Sequence, residues 1–280
     1  MPKYKALAVQ TSFWRPKTDY LKEIVESIRT KTVDGDIIIV SEKAVSTASN
    51  NIVDESAITP NLCAKLIARF WMRITWGYFL GRLCHFPRGL IRRLREYPLE
   101  SGSRHKQVAM SRAGLLQSLM FGSEGGIDGS NLPYSYVSLT LQNANIVAEK
   151  IRQQIRSELH IGVCVMIVDT DKTYSFGNFH FTPRPKPVKG IHSFGGFLAY
   201  VVARMLKLKK RATPLALVGC RMSVEEALVI AETANRARGF GSGRTVWQMA
   251  EKFNVGLTEV SREMLETVKH KPIVIVRSKR

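Results

Sequence analysis

Two acidic residues in this sequence stand where metal-binding carboxylates would be expected. Asp128 lies in a glycine-rich turn at 125–131, and Asp169 ends the apolar run at 161–168. Carboxylates on rigid turns suit Mg²⁺ or Mn²⁺, because such a cation takes one or two protein carboxylates and shares its other positions with phosphate and water. The first hypothesis is therefore a nucleotide-dependent reaction. The structural alternative is an Asx turn at Asp128 and a cap after the strand at Asp169.

The composition is that of a folded, basic protein. The 280 residues are 45% hydrophobic and 9% aromatic, which suffices for a core in one large or two modest domains. The 42 Lys and Arg residues against 23 Asp and Glu give a net charge of +19. This excess favours anionic partners such as a nucleotide, nucleic acid or acidic lipid, and charge by itself does not choose among them.

The cysteines and the apolar segments indicate where the protein works. Cys63, Cys84, Cys164 and Cys220 are widely spaced without a Cys-x-x-Cys pair, so we expect reduced, buried thiols and a cytoplasmic protein. The N-terminus lacks the apolar core of a secretory signal. The most hydrophobic window, 62–84, is interrupted by basic residues, which argues against a transmembrane segment.

The window 62–84 has a helical pattern. Lys65, Arg69 and Arg73 recur every four residues and leave a second, apolar face. The residues of that face are Leu66, Ile67, Phe70, Trp71 and Ile74. We expect this face to pack into the core, and a basic amphipathic helix lying at a membrane surface is the alternative.

The rest of the chain alternates between strand and helix patterns. Strands are predicted at 37–40, 115–121, 163–168, 215–220 and 273–276. Helices are predicted at 19–30, 62–79, 90–96 and 146–159. A capping box of Ser223 and Glu226 predicts the start of a further helix that runs to about residue 238.

Turns and loops separate these elements. Ser101-Gly102-Ser103 predicts a turn or short linker, and the two prolines in Arg184-Pro185-Lys186-Pro187 predict an exposed loop. The basic, glycine-rich segment 239–245 could offer backbone N–H groups to phosphate, or simply join two helices. The six histidines show no metal-site spacing, and no chemistry is assigned to them. Nucleic-acid binding is supported by charge alone, since no base-reading motif is present.

Three segments, in order, resemble the coenzyme F420-0:γ-glutamyl ligase family. They are Asp34-Gly35-Asp36-Ile37-Ile38-Ile39-Val40-Ser41-Glu42-Lys43-Ala44-Val45-Ser46, Gly126-Ile127-Asp128-Gly129-Ser130-Asn131, and Val168-Asp169-Thr170-Asp171. The family shows an Asp-Gly-Asp strand ending in a Lys and Ser segment, a Gly-Ile/Val-Asp-x-Ser-Asn loop and a strand ending Asp-Thr-Asn/Asp.

The resemblance implies an α+β fold of mixed sheets with flanking helices, and a homodimer. It implies an amide-forming ligase that adds L-glutamate to a small polyanionic cofactor, coenzyme F420-0 or a similar molecule, with GTP and Mg²⁺ or Mn²⁺ through an acyl phosphate. The implied metal ligands are Asp128, Asp169 and Thr170. The implied nucleotide-binding residues are Glu42, Lys43, Ser46 and Asn131. No catalytic residue is assigned.

Two departures of the sequence from the family pattern bear on the nucleotide and metal site. Thr47 stands where a second Lys is usual, and the basic segment 206–211 takes the place of an acidic, glycine-rich loop. Lys and Arg there could contact phosphate but could not bind a metal. The alternatives are a γ-glutamyl ligase for another cofactor, a folate or pterin, and a non-catalytic nucleotide- or RNA-binding protein.

We expect three parts along the chain. Residues 1–100 form an N-terminal α/β part with a basic helical insertion. Residues 101–220 form the part that carries the metal and nucleotide site. Residues 221–280 form a C-terminal helical region and a final strand.

Overall fold

The computed structural model describes residues 4–122 and 124–278. In chain order its strands are β1 (Tyr4–Thr11), β2 (Ile37–Ser41), β3 (Ile52–Asp54), β4 (Tyr136–Ser138), β5 (Cys164–Phe176), β6 (Phe179–Thr182), β7 (His192–Ser193), β8 (Lys209–Val218) and β9 (His270–Ser278). Within the described residues, seven of them form one sheet in the order β1-β9-β2-β5-β6-β7, and β8 also pairs with β5. Strands β3 and β4, which are far apart in the sequence, form a separate antiparallel pair.

Helices surround the main sheet. They are α1 (Tyr20–Ile28), α2 (Glu42–Ala48), a 3₁₀ turn (Glu55–Ala57), α3 (Leu62–Leu66), a π-helix (Ile67–Leu80), α4 (Gly81–Leu83), α5 (Arg88–Arg95), α6 (Glu100–Ala113), α7 (Leu115–Ser118), α8 (Ala144–Leu159), α9 (Gly196–Met205), α10 (Val224–Arg238), α11 (Val246–Phe253) and α12 (Arg262–Glu266). Strands β2 and β5 are parallel while β1, β8 and β9 are antiparallel to their neighbours. The mixed sheets with flanking helices confirm the predicted fold class.

The sheet is apolar on both faces, which explains the unbroken β-branched run in β2. Successive side chains of a strand point to opposite faces. Ile38 and Val40 therefore join the cluster formed with α1 and α8, whereas Ile39 joins the cluster formed with α10. A strand covered on both faces needs apolar residues at every position, not at alternate ones.

A third core lies between the π-helix, α5 and α9. Ala64, Ala68, Met72 and Trp76 are completely buried there. Their four-residue spacing matches a π-helix, which closes i to i+5 hydrogen bonds and has about 4.4 residues per turn. The expectation that Leu66, Phe70 and Ile74 pack inward is wrong, because all three are exposed. Among the residues described, none of the helices combines the length and hydrophobicity needed to cross a bilayer.

Two local predictions near residue 110 are wrong. Residues 101–103 lie inside α6 and do not form a turn. The Tyr97 ring packs directly against Gly102 and leaves no room for a side chain, since a Cβ there would lie 2.3 Å from Cε1 of Tyr97. Residues 115–121 begin with the short helix α7 where a strand was expected, after Gly114 ends α6 at φ +97°. A short apolar run has no periodicity that separates helix from strand.

The cysteine prediction is wrong for three of the four residues. Cys164 and Cys220 form a disulfide with their Cα atoms 5.5 Å apart, and Cys63 is exposed. Only Cys84 is a free, buried thiol. The pairing follows from the antiparallel register of β5 and β8, in which Val165 lies opposite Val218. A separation of 56 residues hides that proximity in the sequence.

Other predictions are confirmed. The Ser223 hydroxyl accepts from the Glu226 backbone N–H at 3.2 Å and begins α10, as the capping box requires. Strands at 37–40, 163–168 and 273–276 are present in β2, β5 and β9. Strand β9 lies between β1 and β2, so the C-terminal strand is an interior strand of the sheet and the N-terminal strand β1 is at its edge.

Candidate active site

The parallel pair β2 and β5 brings two acidic residues to one edge of the sheet. Ser41 lies opposite Val168 at the end of the pairing. Glu42, the first residue of α2, and Asp169, the next residue of β5, therefore lie side by side. Beyond Asp169 the pairing of β5 with β8 is irregular as far as Lys172. Such irregularities commonly redirect side chains at the rim of a sheet.

Arg184 binds both of these carboxylates from below the surface. Its side chain is 1% exposed, and Nη2 donates to Oε1 and Oε2 of Glu42 at 2.6 Å each. Its Nε lies 2.8 Å from Oδ2 of Asp169, and Nη1 donates to the Gly125 carbonyl at 2.8 Å. We call Glu42, Asp169 and Arg184 the Arg184 cluster. The prediction of an exposed loop at 184–187 is therefore wrong for Arg184.

The glycine-rich turn is shaped around this guanidinium. Gly126 has φ +94°, and a Cβ at that position would lie 1.4 Å from Nη1 of Arg184. Any other residue would have to displace the arginine. Gly126 thus makes room for Arg184, which the sequence motif alone did not indicate.

The Arg184 cluster has two carboxylates for one guanidinium. Burial raises the pKa of Glu42 to about 7, with Arg184 opposing the shift and Asp169 adding to it. Burial works against the charged form of Arg184, but Asp169, Glu42 and Asp171 attract the guanidinium and raise its pKa. The cluster is therefore a buried site with surplus negative charge.

Asp128 is held by Lys43 and by its own turn. The Lys43 ammonium forms an ion pair with Oδ2 of Asp128 and donates to the carbonyl and hydroxyl oxygens of Ser130 at 2.8 Å each. Oδ1 of Asp128 accepts from the Ser130 N–H at 2.7 Å. The Asx-turn alternative is thus correct, and it coexists with a charged partner from the start of α2.

A cavity of about 510 Å³ opens over these residues. Its polar wall includes Lys43, Thr47, Asp128, Asn131, Asp169, Thr170 and Asp171. Its basic wall includes Lys172, Arg204, Lys210, Arg238 and Arg244. Tyr97, Phe121, Tyr200 and Trp247 supply aromatic surface. Carboxylates, cations and aromatic rings around one cavity suit a ligand that has phosphates, a bound cation and a planar group.

Arg238 faces both predicted metal ligands. Burial lowers its pKa, and the carboxylates of Asp169 and Asp128 oppose that shift. Arg238 is therefore close enough to interact with both carboxylates. Within the described residues, it forms a direct ion pair with neither of them. Arg238 is a cation placed to meet an anionic ligand in the cavity.

Asn131 fastens the glycine-rich segment 239–245 to the same cavity. Its Oδ1 accepts from the N–H and hydroxyl of Ser242 at 2.6 and 2.7 Å. Its Nδ2 donates to the carbonyl of Gly243 at 3.0 Å. The two glycine-rich turns, far apart in sequence, therefore meet at the cavity, and Thr245 caps α11 beside them.

The predicted residues divide into two groups. Lys43, Asp128, Asn131, Asp169 and Thr170 line the cavity. Glu42 lies behind this wall and acts on it through Arg184. Ser46 is fully buried, its hydroxyl donates to the Leu139 carbonyl at 2.8 Å, and it does not line the cavity. Arg184, Arg238 and Trp247 were missed, because no local pattern places them at the site.

Most of the basic residues of segment 206–211 do not face the cavity, although the sequence suggested that they could contact phosphate there. Lys209 and Arg211 lie in β8 and pair with Glu225, at 3.2 and 2.6 Å. Lys210, on the other side of the strand, lines the cavity. One cation of this segment, not four, is available to a phosphate from within the site.

A second charged cluster contributes to the lining of the same cavity. Nδ1 of His105 is 2.7 Å from Glu55 and Nε2 is 3.3 Å from Glu124. Lys106 donates to Glu124 at 2.7 Å and to the Met120 carbonyl at 2.6 Å. We call Glu55, His105, Lys106 and Glu124 the His105 cluster.

The side-chain donors in and around the cavity determine what kind of metal site is possible. In residues 4–122 and 124–278, no group of three or more His, Cys, Asp or Glu side chains could hold a metal ion. Asp128, Asp169 and Thr170 do supply hard oxygen atoms to one cavity. These donors fit a cation that arrives with phosphate and water ligands, and do not fit a metal held by protein alone.

Comparison with known proteins identifies the family. The family model for F420-0:Gamma-glutamyl ligase matches residues 8–196. The chain belongs to this family. It is also 33% identical to "Uncharacterized protein MJ1361" of Methanocaldococcus jannaschii, over 98% of this chain and 97% of that protein. The resemblance found in the motifs is confirmed, and the ligase is an amide-forming enzyme of the γ-glutamyl ligase type. The matched residues include Glu42, Asp128, Asp169 and Arg184.

Proposed function

We propose that this ligase adds L-glutamate to a small polyanionic acceptor such as coenzyme F420-0, using GTP and Mg²⁺ or Mn²⁺. The observation that supports this most directly is the placement of Asp128 and Asp169 in one cavity with Lys43 and Arg238. Carboxylates for a cation and cations for phosphate are both needed for phosphoryl transfer. The aromatic residues that line the same cavity give the acceptor a planar surface.

The proposed chemistry has two steps. A carboxylate oxygen of the acceptor attacks the γ-phosphorus of GTP, the bond to the bridging oxygen breaks, and GDP leaves. The resulting acyl phosphate is attacked by the amine of L-glutamate, so that a C–N bond forms, phosphate leaves and the amine releases a proton. Each step places negative charge on phosphate oxygens, and fixed cations stabilise such charge best where water is excluded.

Lys43 has a specific place in this scheme. In the structure its ammonium binds Asp128 and Ser130. A nucleotide phosphate in the cavity competes for the same ammonium, which would leave the Asp128 carboxylate for the cation. Asp128, Asp169 and Thr170 would hold that cation, which neutralises charge on the phosphates when bound. Arg184 keeps Asp169 oriented from the buried side.

The glycine-rich segment and the departures refine the proposal. Asn131 holds segment 239–245 where its backbone N–H groups can meet phosphate. Thr47, which replaces the usual Lys, lines the cavity. Its hydroxyl donates a hydrogen bond to the Lys43 carbonyl at 2.9 Å. With one fewer cation and three oxygen ligands, we propose one strongly bound metal and slow or altered activity on F420-0. The homodimer belongs to the same proposal and rests on the family resemblance.

Calorimetry with GTP, ATP and GDP, with and without Mn²⁺, tests the nucleotide site. GTP should bind more tightly with Mn²⁺ than without it. Asp128→Asn and Asp169→Asn should each abolish this metal dependence while preserving the fold, since Asn keeps the volume and loses the charge. Asp19→Asn is the matched control, because Asp19 caps α1 away from the cavity and Asn is an equally good cap.

Turnover gives the second readout. GDP release should require both the acceptor and L-glutamate, and mass spectrometry should show the acceptor heavier by one glutamate residue. If both Asn variants bind the metal-nucleotide as the wild type does, the site assignment is wrong. GDP release with a pterin acceptor and not with F420-0 would show that the acceptor is a pterin. The proposed two-step chemistry would remain.

A further inference from the structure

An exposed apolar stripe runs along the helical insertion. Leu66, Phe70, Ile74, Phe79 and Leu83 are all exposed, Phe79 to 66%. Their spacing of four or five residues follows the wide turn of the π-helix, so they form one line on its surface. Leu62, 72% exposed, extends the line into α3.

A second stripe lies on the neighbouring helix α9. Leu198, Val202 and Leu206 recur every four residues and are exposed by 55%, 46% and 57%. The two helices run side by side in the same direction. The ring centroids of Trp71 and Phe197 are 5.4 Å apart, and those of Trp76 and Tyr200 are 5.9 Å apart. Further along, Arg204 donates to the Cys84 carbonyl at 3.3 Å.

The sequence around both stripes contains no acidic residue. Residues 56–95 contain eight Lys and Arg and no Asp or Glu, and residues 172–224 contain ten Lys and Arg and no Asp or Glu. Several cations of the helical insertion have no side-chain hydrogen bond or ion pair within the described ranges: Lys65, Arg69, Arg82, Arg88 and Arg92. Their charge is therefore available to an outside partner.

Three of these arginines also share a groove. Arg82, Arg88, Arg92 and Arg95 line it together with Ile91. Arg95 is fixed in place, since Nε donates to the Gly77 carbonyl at 3.0 Å and the guanidinium lies 4.3 Å from the centre of the Tyr78 ring. The groove thus presents guanidinium groups beside the apolar stripe of the π-helix, a pairing that matches phosphate headgroups next to acyl chains.

We propose that the paired π-helix and α9 dock on the surface of an anionic lipid bilayer. The apolar stripes enter the boundary between headgroups and acyl chains, and the unpaired arginines contact lipid phosphates. Charge complementarity favours lipid over a second copy of this chain, because two such basic faces, built from segments that contain no acidic residue, repel one another. The helices lie on the membrane and do not cross it, in keeping with their length.

Flotation with lipid vesicles tests this inference, using the full chain. The protein should float with vesicles of phosphatidylcholine containing phosphatidylglycerol and stay behind with phosphatidylcholine alone. Phe70→Ser with Phe79→Ser should weaken binding by about tenfold or more, since two large apolar side chains leave the interface. Arg88→Gln with Arg92→Gln should weaken it by about fivefold for each charge removed, at low salt.

Ile146→Ser is the matched control, because Ile146 is 56% exposed on α8, which packs on the main sheet away from the π-helix. It should float like the wild type. Thermal melting shows whether the Ser variants remain folded. If they unfold, the Arg88→Gln, Arg92→Gln variant still tests the proposal, because both arginines are exposed. Equal flotation with neutral vesicles, or loss of binding only in Ile146→Ser, overturns the proposal. A dimer in sedimentation velocity that Phe79→Ser dissociates would assign this face to a second copy.

Discussion

Glu42 and Glu124 are both buried glutamates beside cations, yet their pKa values move in opposite directions. Burial raises the pKa of Glu42 to about 7. Burial also acts to raise that of Glu124, but Lys106 and His105 outweigh it and lower the pKa to about 2. The residue type and the degree of burial are the same. The balance of charge around each carboxylate differs.

The His105 cluster is balanced in charge, although Glu55, His105 and Glu124 also line the cavity. Two carboxylates face two cations, and both ring nitrogens of His105 have a carboxylate partner. Burial disfavours the charged imidazole, but Glu55 and Glu124 outweigh it and raise the pKa of His105 to about 10. The Arg184 cluster has a carboxylate in excess, and Asp169 of that cluster opens on the cavity. A surplus of buried negative charge indicates a site for a cationic ligand, whereas a balanced cluster indicates structure.

The largest effect is expected from Arg184→Met. This change leaves Glu42 and Asp169 buried together without their shared cation, and breaking such a pair costs about 3–5 kcal/mol. Urea denaturation at about pH 8 should show this loss in the free energy of unfolding. At about pH 5 the loss should be smaller, because the raised pKa of Glu42 lets the carboxyl take a proton. An equal loss at both pH values would contradict the surplus-charge interpretation.

Matched Glu→Gln changes in the two clusters should differ in their cost to stability. Glu124→Gln leaves His105 and Lys106 with one carboxylate between them and should cost about 3 kcal/mol at neutral pH. Glu42→Gln removes the surplus charge and leaves Arg184 paired with Asp169, so it should cost about 1 kcal/mol. Denaturation of the two variants side by side measures the difference. Equal costs would mean that charge balance does not distinguish the clusters.

His105→Gln should show a characteristic pH dependence. The pKa of His105 rises on folding from 6.5 to about 10, so its stabilisation is complete below pH 6.5 and is lost as the pH rises toward about 10. The variant should be less stable than the wild type by about 1.5–3 kcal/mol at pH 6. Melting curves of both proteins should converge near the upper end of this range. Ligase turnover at neutral pH should survive in the variant, in contrast to Asp169→Asn.

The smallest effect is expected from Asn131→Ala. This change removes the hydrogen bonds that hold segment 239–245 beside Asp128, each contributing about 0.5–1.5 kcal/mol. Nucleotide affinity, measured by calorimetry, should fall severalfold, and the melting temperature should fall by a few degrees. An unchanged affinity would show that this segment does not contact the nucleotide.

Local patterns predicted the frame that supports the site. The β-branched run of β2, the apolar run of β5 and the capping box of α10 each depend on neighbours within a few residues, and these predictions are confirmed. The predictions at 101–103 and 115–121 were wrong because small or short apolar segments fit more than one backbone conformation. At 101–103, packing of Gly102 against Tyr97 decided the helix.

The sequence by itself determined the family and the strand ends at which Glu42 and Asp169 stand. Tertiary structure alone decided which cation each carboxylate meets. Arg184 is 142 residues from Glu42 in the chain, and Lys43 is 85 residues from Asp128. The charge state of a buried carboxyl depends on distances of a few ångströms through a medium of low dielectric constant. Sequence spacing does not specify such distances, so the contrast between the Arg184 cluster and the His105 cluster appears only in the folded chain.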